Sequence, residues 1–149
     1  MINRHSRHVV FGCLFALAAC SSNSYNGGLG NGAQPCNPGT AVQDAQPLPN
    51  QTGVSTTIGQ IIIVANGNAN ILNTNPSAWI ITLQTPTGLI NGGTLNAVPF
   101  PNGPHPYPSD FYYASNIPTL NFNQTYTVFL GRTDGSCSAI SIGSFATQP

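Results

Sequence analysis

Along most of the chain, apolar side chains come in short β-prone runs separated by clusters of turn-forming residues. Residues 57–65 (TIGQIIIVA) are dense in β-branched side chains and stop at Asn66-Gly67-Asn68, the composition of a strand ended by a turn. Gln60 favours Ile61 and Ile63 as the inward pair, although apolar residues on both faces leave the facing open. Residues 77–85 (SAWIITLQT) set Trp79, Ile81 and Leu83 on one face at period two, and Pro86-Thr87-Gly88 turns the chain. Residues 125–132 (TYTVFLGR) alternate in the same way, with Tyr126, Val128 and Leu130 together. Asp134-Gly135-Ser136 then predicts a hairpin turn into a last strand at 139–147 (AISIGSFAT). Weaker strands are expected at 40–46, ended by Pro47 and Pro49, at 93–99 and at 111–117 (FYYASNI). A proline-rich loop, PFPNGPHPYP, fills residues 99–108.

Beyond the first 19 residues, no stretch keeps apolar residues at helical spacing, and the chain's 13 prolines and all but one of its 16 glycines lie there to interrupt one. Seven short strands in about 110 residues, with a turn every 8–12 residues or so, predict an all-β, seven-stranded antiparallel sandwich.

The amino terminus follows a different pattern. Arg4 and Arg7 form a basic start, residues 9–19 an apolar run, and Ala18-Ala19 a small-residue approach to a cleavage point. At about 11 residues the run is too short to span a bilayer, which takes about 20. Leu17-Ala18-Ala19-Cys20 resembles the lipobox of bacterial lipoproteins. That resemblance implies cleavage before Cys20, a diacylglycerol on its thiol, and a location in the bacterial cell envelope. Ser21 rather than Asp after the lipidated cysteine implies the outer membrane in an organism with two membranes. The expected organisation is a signal peptide at 1–19, a lipidated flexible tether at 20–35 and a β-sandwich at 36–149. The tether (SSNSYNGGLGNGAQP after Cys20) is rich in Gly, Asn and Ser, with an r.m.s. reach of roughly 20–25 Å.

Cleavage would remove two of the three basic residues and leave Arg132 against Asp44, Asp110 and Asp134, with no Lys or Glu. A surface so poor in cations cannot neutralise a run of phosphates, which excludes nucleic acid as a partner. Electrostatic docking onto anionic lipid is excluded for the same reason. The membrane is a partner through the acyl chains, at about 0.8 kcal/mol per buried methylene.

Of the four cysteines, Cys13 would leave with the signal and Cys20 would carry lipid, so Cys36 and Cys137 are expected to pair outside the cytoplasm. Closing a loop of about 100 residues is worth roughly 4.7 kcal/mol in the chain-entropy model.

Two further segments carry a family resemblance. PLPNQTGV (residues 47–54) is similar to the opening found before the second strand of bacterial immunoglobulin-like (Ig-like) domains, with Asn50 in place of a glycine. GSFAT (143–147) is similar to their close, while VANGNAN replaces the Phe-Ser-Glu run that often ends their second strand. Leu120 and Tyr126, six residues apart, resemble the tyrosine corner of such sandwiches, in which the phenol bonds back to the turn backbone. The resemblance spans roughly residues 45–147 and implies an Ig-like topology and a spacer or adhesion role without catalysis. In that topology Cys36 and Cys137 fall at the same end.

Candidate chemistry is sparse. His105 is the single histidine beyond the signal segment, and no Gly-x-Ser-x-Gly elbow, paired-carboxylate site or calcium-loop spacing occurs. No catalytic residue, metal site or cofactor is expected. Asn-Gln-Thr triplets at Asn50 and Asn123 match a glycosylation sequon. The expected function is that of a non-enzymatic envelope module with a structural or protein-interaction role. The alternative is capture of a glycan or other ligand by Phe100, His105, Tyr107, Phe111 and Tyr113 around the proline-rich loop.

Overall fold

The computed structural model describes residues 34–67 and 71–149. The expected signal peptide, the acylation site Cys20 and the tether through residue 33 lie outside the described residues. The strands in chain order are β1 (Val42–Gln46), β2 (Gln51–Val54), β3 (Gln60–Asn66), β4 (Trp79–Thr85) and β5 (Gly88–Thr94). They continue with β6 (Asn96–Ala97), β7 (Asp110–Asn116), β8 (Thr125–Arg132) and β9 (Ile140–Thr147). Between β3 and β4 lie one helical turn, Ile71–Thr74, and a 3-10 turn, Pro76–Ala78, both too short to leave a helical period in the sequence.

The protein is all-β, with its strands in two sheets. One has the order β1-β3-β7-β6 and the other β2-β9-β8-β4-β5. Every neighbouring pair is antiparallel except β2, which runs parallel to β9. The space between the sheets is filled by the period-two residues. Ile61, Ile63 and Tyr113 come from the first sheet, and Trp79, Ile81, Leu83, Tyr126, Val128, Leu130 and Phe145 from the second. The Tyr126 and Phe145 rings stack, with centroids 5.3 Å apart.

Among the described residues there are nine strands rather than seven, for two physical reasons. The first expected strand is followed by a second short one, because Asn50 adopts a left-handed φ of 62° and turns the chain onto the edge of the other sheet. The strand expected at 93–99 is divided between sheets. Leu95 is fully buried, and the chain leaves β4 at Thr94 to meet β7 at Asn96.

Ile62 and Val64 point to the outer face of the first sheet and are buried as well, together with Ala45 and Ala114. Val98, Phe100, Tyr107 and Tyr112 cover them. The apolar character of both faces of β3 thus has a cause: the proline-rich loop folds back as a strap over the outside of the sheet.

The two ends of the sandwich differ. At one end Cys36 is bonded to Cys137 with Cα atoms 4.9 Å apart, and Cys36 N–H donates to Ser138 O at 2.7 Å. This disulfide end also holds the β3–β4 link, the β8–β9 turn and the strap, where Gly67 N–H donates to Ser109 O. At the opposite end the β2–β3 and β7–β8 connections meet the end of β9. Leu120 N–H donates to Thr56 O at 2.8 Å and Gln148 N–H to Val54 O at 3.0 Å. There the Tyr126 hydroxyl accepts from Asn121 N–H, five residues upstream, at 2.9 Å.

Candidate functional site

The strap is anchored by β7. Period two along this strand sends Asp110, Tyr112 and Ala114 to the outer face and Phe111 and Tyr113 towards the core. Asp110 Oδ2 lies 2.9 Å from His105 Nδ1, and its Oδ1 accepts from Tyr107 N–H at 3.1 Å. The Tyr112 hydroxyl donates to Pro104 O at 2.6 Å and sits 3.2 Å from His105 Nδ1. The Phe100 ring meets Tyr112 edge-on, with centroids 5.5 Å apart. A backbone fixed by five prolines is thus held at three points on one carboxylate and one phenol. Burial, with the Asp110 charge second, pushes the phenols of Tyr107 and Tyr112 above their ordinary value.

Of the five candidate ligand residues, Tyr113 borders a hollow along β6 and β7 but exposes no surface to a ligand. Its side chain is fully buried between the sheets, because it falls on the inward register of β7. Phe111 is half-buried against the same core. Phe100 and Tyr107 are also half-buried, with their apolar faces turned onto Ile62 and Val64. Only His105 is open, its side chain 64% exposed while that of Asp110 is 7% exposed. An open hollow of about 440 Å³ runs along β6 and β7, lined by Val98, Pro99, Phe100, Asp110, Phe111 and Tyr112 among others. The sequence reading missed Asp110 as a partner of His105. The available signal was Asp110 and Tyr112 at period two, immediately after the strap.

With Nδ1 held by a carboxylate, His105 presents Nε2 to solvent as an acceptor or, when protonated, a donor. Such a group can bind a hydroxyl or an amide. Cys137 cannot serve it as a nucleophile, since its sulfur is in the disulfide. No group of three or more His, Cys, Asp or Glu able to hold a metal ion occurs among the described residues. No helix among them is long and apolar enough to cross a membrane.

Two other polar features stand apart from the strap. The Arg132 guanidinium lies over the Trp79 ring, 5.4 Å from its centroid, and Nη2 donates to Asp134 Oδ2 at 3.1 Å. Hydrogen bonds from Arg132 and then Ser136 hold the Asp134 carboxyl well below the usual carboxylate range. Asp44 is different. It points between the sheets from β1, is fully buried, and neither oxygen has a hydrogen-bond partner in the protein. It fits because β9 carries Gly143 opposite, where an added Cβ would lie 2.1 Å from Asp44 Oδ2. Burial raises its pKa from 3.8 to about 7. The two sequon asparagines have a backbone reason to be there, since Asn50 and Asn123 have φ of 62° and 50° and Asn tolerates that region better than most residues.

Comparison with known proteins finds no matching family model, no matching curated relative and no matching solved structure.

Proposed function

We propose that this chain is a lipid-anchored protein of the bacterial cell envelope whose Ig-like β-sandwich serves as a structural or protein-interaction module without catalysis. The observation that carries the proposal is the Cys36–Cys137 bond. It occupies both cysteines that follow the Leu17-Ala18-Ala19-Cys20 motif, it belongs to an oxidising compartment, and it leaves Cys20 as the thiol for acylation. The Ig-like assignment is supported by the two packed sheets, the edge strand parallel to the last strand, and the Tyr126 hydroxyl bonded to upstream turn backbone. Ser21 after the acylated cysteine favours the outer membrane of a two-membrane cell. Fractionation of cells making the Cys20→Ser chain tests the anchor. The variant is expected in the soluble fraction, and full membrane retention would refute the proposal.

A second reading is favoured by the open hollow along β6 and β7: capture of a neutral glycan at the strap, with Phe100 and Tyr112 in its lining and the exposed His105, which contacts Asp110 and Tyr112, as the polar group nearby. A glycan array probed with the intact protein and with His105→Ala tests it. Binding that disappears in the variant at unchanged melting temperature supports this reading, and silence across the array removes it.

A further inference from the structure

β1 is held in place by little besides one row of backbone hydrogen bonds. It lies at the edge of its sheet and pairs with β3 alone. The row runs on to Ala41 O, which accepts from Asn66 N–H at 3.0 Å, but its register slips between Asp44 and Gln46. Ala45 is the strand's one buried apolar side chain, with Val42 half-buried against the core. A segment with so few buried apolar contacts can open locally while the rest stays folded. Its two ends, by contrast, are fixed elsewhere. Upstream, Cys36 is bonded to Cys137, and its N–H donates to Ser138 O. Downstream, Asn50 N–H donates to Ser144 O at 2.7 Å and Ser144 Oγ to Asn50 Oδ1 at 3.1 Å. Both fixings are on β9 or just before it, in the second sheet, whereas β1 pairs in the first. Residues 37–49 can therefore lift and return with neither end released.

Asp44 supplies a reason to lift. Its side chain enters the space between the sheets opposite Gly143, and both carboxyl oxygens are buried without a hydrogen-bond partner. Protonated, the group is neutral there. Ionised, it would be an unpaired charge out of reach of water, which is far more costly. No counter-charge faces it. The strands packed against β1 are β3 and β9, and neither QIIIVAN nor ISIGSFAT contains a titratable residue. None other than Asp44 occurs in β1 or in its flanks, residues 37–41 and 47–54. Solvent, reached by lifting the strand, is where the charge is compensated. Burial raises the pKa of the closed form from 3.8 to about 7, which sets the changeover near neutrality. We propose that residues 37–49 form a pH-gated flap: loss of the Asp44 proton lifts β1 and bares the hydrogen-bonding edge of β3, and reprotonation closes it. The device depends on neither the lipid anchor nor the strap.

The test is hydrogen exchange of the full chain, disulfide intact, read by mass spectrometry across pH 5 to 8 and corrected for the intrinsic pH dependence of amide exchange. Each opening releases one proton, so protection in residues 42–46 should fall about tenfold per pH unit up to about pH 7 and level off beyond. At every pH it should be weaker than protection in β4 and β8. Low urea should leave it unchanged, because the flap exposes little surface. In Asp44→Asn, which keeps the shape of the protonated form, protection of residues 42–46 should not vary with pH. The proposal is overturned if these residues exchange together with β4 and β8, since global unfolding would then be the sole route that exposes Asp44. It is equally overturned if their protection is indifferent to pH, or if the slope survives in Asp44→Asn. Should that variant fail to fold, the comparison of β1 with β4 and β8 in the unaltered chain decides by itself.

Discussion

The two ends of this sandwich are held by different chemistry. At the disulfide end the fixings are a covalent bond, the Arg132–Asp134 pair under hydrogen-bonded control, and the Asp110 carboxylate that ties down the strap. At the other end the fixings are backbone hydrogen bonds organised around one buried phenol, with no ion pair among them. One end should therefore respond to reductant, and the other to the loss of single hydrogen bonds. Between them sits Asp44, an uncompensated carboxyl in the inter-sheet space.

The largest effect expected is from reduction of Cys36–Cys137. The bond closes 101 residues of sequence separation, and its removal should cost up to about 4–5 kcal/mol in the chain-entropy model. Denaturant unfolding with and without reductant measures this. Hydrogen exchange should show the added opening first around Cys36 and the β8–β9 turn, while the Asn121–Tyr126 contact keeps its protection. Equal loosening of both ends would break the comparison.

Asp44 gives an effect of similar size with a definite sign. Its folded pKa is about 7 against 3.8 for the ordinary side chain. Below pH 4 both states are protonated, so the group exerts no pH effect there. Between pH 4 and 7 the unfolded chain releases a proton that the folded chain keeps, so stability falls as pH rises. The total loss is about 4 kcal/mol, and the dependence flattens above pH 7. Thermal melts across this range should show the decline, and Asp44→Asn should abolish it. Gly143→Ala should destabilise at every pH, because its methyl would occupy the space of the Asp44 carboxyl.

Tyr126→Phe sharpens the contrast from the other side. Asn121 N–H would lose its acceptor in a packed turn, at a cost of about 1–3 kcal/mol, with exchange quickening in residues 119–124 and unchanged at the disulfide end. His105→Ala is the mildest change, since His105 is exposed and Asp110 keeps the Tyr107 N–H as a hydrogen-bond donor, so the loss is that of one hydrogen bond, about 1 kcal/mol. It should loosen the strap only around residue 105, with little loss of melting temperature, because Tyr107 N–H and Pro104 O keep their partners. A drop of several degrees would mean that His105 carries structure rather than presenting a contact.

How much of this was readable in the sequence follows from where each residue's partner lies. Trp79, Ile81 and Leu83, and Tyr126, Val128 and Leu130, announced their strands because alternation alone decides their facing. The Cys36–Cys137 pair was legible by elimination, and the hydroxyl bond of Tyr126 by its spacing from Leu120. β5 was legible only at its end, Gly93 and Thr94, because the glycines and asparagine of GLINGGT interrupt the alternation before them. Its Gly92 is instead required by close packing, an added Cβ there meeting Ser115 Oγ at 2.9 Å and Ile81 O at 3.0 Å. β2 was hidden because its polar, exposed residues gain a strand only through parallel pairing with the distant β9. The pairing of His105 with Asp110 depends on how the strap folds over β3, which no local pattern encodes.

The claim that everything else leans on is export, acylation of Cys20 and closure of the remaining two thiols. Intact-mass measurement of protein purified from its native envelope, with and without thiol alkylation, tests it most directly. The account predicts a chain beginning at Cys20, heavier by a diacylglycerol, with nothing to alkylate until reductant is added. A chain with an unmodified amino terminus and two freely alkylated thiols would contradict it.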